Sequence, residues 1–128
     1  VLHTDGGARG NPGPAAIGYV VGGNRYGEAI GTTTNNVAEY KAVIFALKKA
    51  KALYGKEKVK HMEVEVRADS ELLVRQLSGL YKLSTKHIQD LFIEVWNLKL
   101  DFGKVTFVHV PREQNKRADK MVNEALDR

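Results

Sequence analysis

The sequence predicts an α/β domain with a mixed five-stranded sheet, its first three strands antiparallel, and helices packed on that sheet. Two observations carry the prediction. Near the N-terminus, three strand-like runs are separated only by turn residues, which favours an antiparallel meander. Each of the two later strand-like runs follows a segment of helical periodicity, which favours parallel pairing through right-handed crossovers.

The meander is expected to comprise strands at residues 1–4, 15–21 and 25–33. The letters GGN at residues 22–24 are a strong signal for a hairpin turn between the second and third strands. The glycine-rich stretch between the first two strands is interpreted as a loop over residues 6–14, too long for a minimal hairpin. A long glycine-rich loop beside a strand end is typical of a binding surface.

The first helix is expected over residues 37–54, where Tyr40, Val43, Ile44 and Leu47 recur at helical spacing. A fourth strand, residues 62–68, alternates valines with charged residues. The segment 70–78 is expected to form a short helix that ends before Gly79.

The C-terminal third is expected to contain a helix, a strand and a final helix. Apolar residues at i, i+3, i+4 and i+7 predict a helix over residues 85–100. Residues 104–110 are expected to form the fifth strand, which Pro111 stops, and residues 114–126 the last helix. The predicted order is therefore βββ-α-β-α-α-β-α.

The composition of the chain excludes some classes of protein and favours others. We expect one domain over residues 1–128, since the chain shows no repeat, linker or low-complexity tract. No apolar run approaches the roughly 18 residues of a membrane span, and no export leader is evident. Cysteine is absent, which excludes disulfides and thiolate metal sites and is compatible with the cytoplasmic location we expect. A net charge of +5 favours polyanions as partners or serves solubility.

The glycine stretch TDGGARGNPGPAAIG does not fit a phosphate-binding loop. No lysine follows the glycines as a Walker loop requires, and the next segment has the pattern of a strand rather than a helix. A dinucleotide-binding fingerprint fails for the same reason. A turn built on Asp5-Gly6 and a loop that contributes to a site remain.

Four carboxylates are expected at the ends of elements. Asp5 follows the first strand, Glu39 lies in the first turn of the first helix, Asp69 follows the fourth strand, and Asp119 begins the last helix. Singly, each has a structural explanation: a turn, a capping box with Asn36, an N-cap, and a favourable interaction with the helix dipole. Jointly they are predicted to converge, since strand ends and helix starts share one sheet edge where ligand sites gather.

Converging carboxylates repel each other unless cations bind between them. Ligation by oxygen alone suits Mg²⁺, with Mn²⁺ as a possible substitute. Two such ions about 4 Å apart would suit in-line phosphodiester displacement.

The chain resembles the ribonuclease H type 1 family, which cuts the RNA strand of RNA/DNA hybrids. The matching segments, in family order, are TDGGARGNPGPAAIG, TTTNNVAEYKAVIFAL, RADSELLVRQLSG and VPREQNKRADKMVNEAL. The resemblance covers essentially the whole chain. It implies a ribonuclease H-like fold and four catalytic, metal-binding acids, namely Asp5, Glu39, Asp69 and Asp119. It also implies two Mg²⁺ ions when substrate is bound, and products with 5′-phosphate and 3′-hydroxyl ends.

The resemblance further implies a set of substrate contacts. Asn11, Asn35 and Asn36 would face the minor groove of the hybrid, and Thr34 would contact a phosphate. The backbone at Gly6 and Gly7 would approach ribose 2′-hydroxyls. Glu71 stands where some relatives carry a glutamine that contacts substrate. The implied partner is an RNA/DNA hybrid, with no membrane and no obligate protein partner, and the domain is expected to be a monomer.

The chain departs from many relatives at two places. The segment SGLYKLSTKHIQDL is short and carries only Lys82, Lys86 and His87 where many members have a basic handle. The loop PREQNKR lacks the histidine that many members place before the fourth acid. His109 lies in the preceding strand and is interpreted as structural. The chain therefore resembles the handle-less, single-domain members of the family.

Three alternatives remain open at this point. One is a related nuclease or transposase-like domain that acts on duplex DNA, although such folds share the carboxylates without the asparagine pair and glycine loop. Another is a non-catalytic hybrid-binding module, which the presence of all four acids disfavours. The third is a ribonuclease H domain from a larger protein resembling a reverse transcriptase, because the chain opens on Val1 directly in a strand.

Overall fold

The architecture was analysed in a computed structural model that describes all 128 residues. One five-stranded sheet has the strand order β3-β2-β1-β4-β5. The strands are β1 (Leu2–Ala8), β2 (Gly13–Val21), β3 (Asn24–Thr33), β4 (Glu63–Ala68) and β5 (Lys104–His109). The helices are α1 (Asn35–Tyr54), α2 (Lys56–Val59), α3 (Glu71–Leu77), α4 (Lys86–Lys99) and α5 (Lys116–Leu126). No helix is both long and apolar enough to cross a membrane.

The pairing of the strands confirms the predicted sheet. β1, β2 and β3 pair antiparallel, whereas β4 is parallel to both β1 and β5. Because β4 is the direct neighbour of β1, the ends of these two strands that carry Asp5 and Asp69 lie side by side. The first and fourth strands are therefore neighbours, as the predicted convergence of the acids required.

Two layers of helices cover the sheet on opposite faces. Along β2, Ile17, Tyr19 and Val21 point into the main core with α1, while Ala16 packs on the other face with Val122 and Ala125 of α5. On β1, Leu2 and the buried Thr4 belong to the α1 face, so strand alternation turns His3 and Asp5 toward the α5 face.

The glycine stretch differs from its prediction as a long loop. β1 continues through Asp5, Gly6 and Gly7 to Ala8, and β2 begins at Gly13, so the connection spans residues 9–12 rather than 6–14. The reason is cross-strand pairing, because Gly6 opposes Ile17 and Ala8 opposes Ala15. Asp5 therefore lies inside a strand, where backbone pairing with Gly18 of β2 limits its movement.

Two glycines allow helices to approach the sheet closely. A Cβ at position 6 would overlap the carbonyl group of Ala38 and lie 2.5 Å from the backbone nitrogen of Glu39. A Cβ at position 18 would overlap the carbonyl oxygen of Ala118 and lie 2.9 Å from the backbone nitrogen of Val122. Gly18 is also the cross-strand partner of Asp5. The missing side chains thus bring α1 against β1, which carries Asp5, and α5 against the neighbouring strand β2 at the position opposite Asp5.

The helix starts also differ from the prediction. α1 begins at Asn35, and its N-cap is Thr34, whose hydroxyl accepts the backbone N–H of Val37 at 3.3 Å. The capping box between Asn36 and Glu39 is therefore wrong, and Glu39 lies past the first turn. α3 is capped by Ser70, whose hydroxyl accepts the N–H of Leu73, rather than by Asp69. Both acids are thereby free of the capping roles that offered a structural explanation for them.

Two short elements were not predicted. α2 is a single turn after α1, and a 3₁₀ turn at Arg112–Gln114 separates β5 from α5. The last helix consequently starts at Lys116 rather than at residue 114. The 3₁₀ turn directs Arg112 toward the sheet edge where the acids lie, as described below.

Candidate active site

A cavity of about 370 Å³ lies at the edge of the sheet where β1 and β4 carry their acids. All four predicted carboxylates line it, one within β1, one directly after β4 and two on helices: Asp5, Asp69, Glu39 and Asp119. The fold therefore brings together the four residues that were predicted from the sequence to converge. Gly6, Gly7 and Asn35 also line the cavity, as do Arg9 and Arg112.

The electrostatics of the cavity are dominated by carboxylates that repel one another. Burial is the main cause that raises the pKa of Asp5 to about 8, and the neighbouring carboxylates of Asp69, Asp119 and Glu39 add to it. A strand carboxyl that keeps its proton near neutral pH marks a place where a positive charge would be strongly favoured.

Glu39 and Asp69 share this environment. Burial raises the pKa of Glu39 to about 7, with a further contribution from Asp69, while a hydrogen bond with the Ser70 side chain opposes the rise. Burial also raises the pKa of Asp69, against the opposing effects of the Arg112 guanidinium and the Asn115 amide. Ser70 therefore has two roles at this site. It caps the helix that follows Asp69, and its side chain lowers the pKa of Glu39.

Two residues at this site were missed as members of it. Arg112 carried no predicted role, yet it lines the cavity and acts electrostatically on Asp69. Asn115 was not singled out, yet it is almost fully buried, bonds to β1 and lowers the pKa of Asp69. Both lie in the connection before α5, where no periodic pattern tells which side chain turns inward. The only signal in the sequence was an asparagine, Asn115, placed four residues before Asp119.

The predicted substrate-contact residues separate into three groups. Gly6, Gly7 and Asn35 line the cavity with the acids, and Asn11 adjoins it because its Oδ1 accepts the backbone N–H of Asn35 at 3.0 Å. Thr34 and Asn36 line a second cavity of about 430 Å³, with Ser84, Thr85 and His87 among its other lining residues. Glu71 lines neither, and its Oε1 accepts a hydrogen bond from Arg75 Nε at 2.8 Å. Its substrate contact stays a prediction.

The pH dependence of stability follows from the raised pKa values. The folded protein keeps a proton on Asp5 up to about pH 8 and on Glu39 up to about pH 7, whereas the unfolded chain releases both protons near pH 4. This contribution to stability is therefore complete below the unfolded pKa and is lost as pH rises through the folded pKa. In chelator, we expect the midpoint of thermal unfolding to fall between pH 5 and 8 more steeply in the wild type than in Asp5→Asn. Parallel profiles for the two proteins would contradict the assignment.

Comparison with known proteins agrees with this geometry. The Reverse transcriptase-like family model matches residues 3–125. Ribonuclease HI of Halobacterium salinarum is 41% identical over 98% of this chain and 63% of its own length. The bifunctional protein Rv2228c of Mycobacterium tuberculosis is 37% identical over 99% of this chain and 35% of its own length. The chain therefore spans less than two thirds of these curated relatives.

Solved structures extend the comparison to the fold. LC11-RNase H1, crystallised in complex with an RNA/DNA hybrid, superposes with a TM-score of 0.91 at 47% identity, covering 98% of this chain and 95% of that one. RNase H1 of Halobacterium salinarum superposes with a TM-score of 0.87 at 39% identity, covering 98% of this chain and 96% of that one. The sheet order, the four acids in one cavity and these matches lead to one conclusion. The chain belongs to the ribonuclease H type 1 family.

Proposed function

We propose that this domain is a metal-dependent endonuclease that hydrolyses the RNA strand of RNA/DNA hybrids. The observation that carries the proposal is the cavity in which four carboxylates meet and two of them have a pKa raised to about 8 and about 7. The similarity to LC11-RNase H1, which was crystallised with an RNA/DNA hybrid, supports the choice of substrate.

The donor set of the cavity fits a hard divalent cation. The four acids offer only oxygen atoms, and their mutual repulsion would be relieved by positive charge. No three of the acidic or histidine side chains are arranged to enclose an ion by themselves. Mg²⁺ commonly keeps several waters and binds through one or two carboxylates together with substrate phosphates, so such an arrangement suits it.

Asp5, Glu39, Asp69 and Asp119 would hold two Mg²⁺ ions when substrate is bound, with Mn²⁺ as a substitute. When bound, these ions would supply an activated water as nucleophile and stabilisation of the leaving 3′ oxygen, leaving 5′-phosphate and 3′-hydroxyl ends. The chain itself would position the substrate. Arg112 at the rim presents a planar guanidinium that suits a phosphate of the RNA strand.

The asparagines beside the cavity suit a minor groove of any sequence. The Oδ1 of Asn35 accepts the backbone N–H of Ala8 at 2.7 Å, and the Oδ1 of Asn11 accepts that of Asn35. Each amide oxygen is thus occupied, which leaves the NH₂ groups to donate. Every base pair offers acceptors in the minor groove, and ribose adds the 2′-hydroxyl that separates RNA from DNA.

Replacing Asn35 by alanine tests this contact. The variant loses a donor to the minor groove and the link between α1 and Ala8, so we expect KM for the hybrid to rise about tenfold. The exposed Asn24, in the hairpin between β2 and β3, provides the matched control, since Asn24→Ala should leave kinetics unchanged. Identical KM values for Asn35→Ala and the wild type, measured by steady-state cleavage, would remove Asn35 from the substrate contacts.

The second cavity suits a phosphate further along the substrate. Thr34 keeps a hydroxyl proton to donate, because its oxygen only accepts in the helix cap. α4 begins at the same cavity, and its N-cap residue Thr85 makes no side-chain capping bond, which leaves the first N–H groups of the helix without a capping side chain. Asn36 Oδ1 is buried without a partner and could accept a hydrogen bond from bound substrate.

A panel of substrates tests the proposed function directly. Hybrid, duplex RNA and duplex DNA of one sequence are incubated with the domain in Mg²⁺, in Mn²⁺ and in chelator. Cleavage confined to the hybrid and dependent on metal is the expected result. Equal cleavage of duplex DNA would favour the alternative of a DNA nuclease, and binding of hybrid without cleavage would favour a non-catalytic module. A monomeric state and a cytoplasmic location stay predictions.

A further inference from the structure

Asn115 is a buried polar residue with an unusual placement. It is 1% exposed and lies four residues before Asp119, in the connection between the 3₁₀ turn and α5. Apart from Asn115, the only buried polar residues are Thr4 and Gln76. A buried carboxamide is costly unless its donors and acceptor are paired, so its partners indicate why it is there.

The side chain of Asn115 bonds to the strand of Asp5 rather than to its own helix. Its Nδ2 donates to the carbonyl oxygen of Thr4 at 2.8 Å, and its Oδ1 lies 3.1 Å from Nδ1 of His3. Although Asn115 occupies the N-cap position of α5, it makes no side-chain capping bond. Simple helix capping therefore does not explain the residue.

The backbone and the amide of Asn115 also act on two more acids. Its carbonyl oxygen accepts the backbone N–H of Asp119 at 3.1 Å, and its amide lowers the pKa of Asp69. Thr4 directly precedes Asp5 in β1. One buried residue thus connects the backbone beside Asp5 to the first turn of the helix that carries Asp119, and its amide also favours the charged form of Asp69.

The orientation of the amide determines the tautomer of His3. The carbonyl of Thr4 can only accept, so the NH₂ group of Asn115 must face it and Oδ1 must face His3. Oδ1 is an acceptor, and His3 must therefore carry a proton on Nδ1. His3 lies two residues before Asp5 on the same face of β1, so this bond fixes the amide from the strand side.

We propose that Asn115, held by His3, is the positioning residue that sets Asp119 and Asp69 relative to Asp5 for divalent-cation binding. This inference rests on the proposed function, because it concerns the cation for which the acids are arranged. Residues that orient metal-binding groups typically change metal affinity or activity by about 10–100-fold when they are removed. A residue that only supported folding would leave the kinetics of the folded protein unaltered.

The variants Asn115→Ala and His3→Phe test the proposal, with Gln114→Ala, at the exposed neighbouring position, as the matched control. We expect Asn115→Ala to lower kcat about 10–100-fold and to weaken Mn²⁺ binding by the free protein, followed calorimetrically, by about tenfold. KM for the hybrid should stay within about threefold, since substrate contacts are untouched. His3→Phe should show the same pattern to a smaller extent, and Gln114→Ala should match the wild type.

Two readouts do not depend on hydrolysis. Nitrogen-15 spectra of the unmodified protein should show His3 as the Nδ1–H tautomer, and the Nε2–H tautomer would overturn the role of His3. Weaker Mn²⁺ binding by Asn115→Ala would support the positioning role even if no hybrid is cut, in which case only the proposed function fails. Wild-type Mn²⁺ affinity in a folded Asn115→Ala protein would overturn the inference. If Asn115→Ala does not fold, His3→Phe decides on the same criterion.

Discussion

Replacing Asp5 by asparagine is expected to abolish hydrolysis and, in chelator, to make the protein more stable. Asp5 lies inside β1 with its pKa raised to about 8 by burial and by three neighbouring carboxylates. Asparagine keeps the shape of the side chain and removes both its charge and the proposed ligand for the cation. Since bound cations contribute several kcal/mol of transition-state stabilisation, turnover should fall by about 10³-fold or more.

The gain in stability has the opposite sign and the same cause. At pH 8 in chelator, Asp5→Asn should raise the free energy of unfolding by roughly 1–3 kcal/mol, because a buried, repelled carboxylate is removed. Thermal unfolding and steady-state cleavage measure the two effects on one sample. Asp90→Asn is the matched control, since Asp90 is exposed and pairs with Lys86 at 3.2 Å, and it should change neither quantity appreciably. Lower stability of Asp5→Asn under these conditions would contradict the electrostatic account.

Replacing Gly6 by alanine is expected to destabilise the domain by about 3 kcal/mol or more. The added Cβ would overlap the Ala38 carbonyl and lie 2.5 Å from the backbone nitrogen of Glu39, and backbone atoms of a packed helix cannot move aside without separating α1 from β1. Any folded fraction should also lose activity, because Glu39 moves with the helix.

Gly7→Ala provides the internal control for Gly6→Ala. At the next position in β1 the added Cβ would lie 3.8 Å from Val122 Cγ1, which is an ordinary contact. The free energy of unfolding of Gly7→Ala, obtained by denaturant titration, should therefore remain within about 1 kcal/mol of the wild type. Equal stability of the two variants would show that the close approach of α1 does not depend on Gly6.

The sheet and the four acids were predictable because they rest on patterns that tertiary contacts do not alter. Strand alternation and helical periodicity placed the five strands in their order along the chain. Parallel pairing of the first and fourth strands then brought Asp5 and Asp69 together. The convergence of Glu39 and Asp119 followed from the position of helix starts at the same edge.

Other features depended on contacts that local sequence does not encode. The letters DGG at residues 5–7 favour a turn, yet they continue as a strand because pairing with Ala16 and Ile17 outweighs local preference. Thr34 and Ser70, rather than Asn36 and Asp69, cap the two helices. The N-cap is the last residue with an extended backbone before the helix begins, and the local sequence did not show which residue that would be. Asn115 and Arg112 acquire their roles only when α5 packs on the sheet.

We propose that the cavity of Asp5, Glu39, Asp69 and Asp119 hydrolyses the RNA strand of a hybrid with the help of divalent cations. Incubation of an RNA/DNA hybrid with the domain, followed by identification of the product ends by mass spectrometry, tests this activity most directly. With Mg²⁺ we expect an intact DNA strand and RNA fragments with 5′-phosphate and 3′-hydroxyl ends, and no products in chelator. Cyclic 2′,3′-phosphate ends, or cleavage that persists in chelator, would contradict the claim.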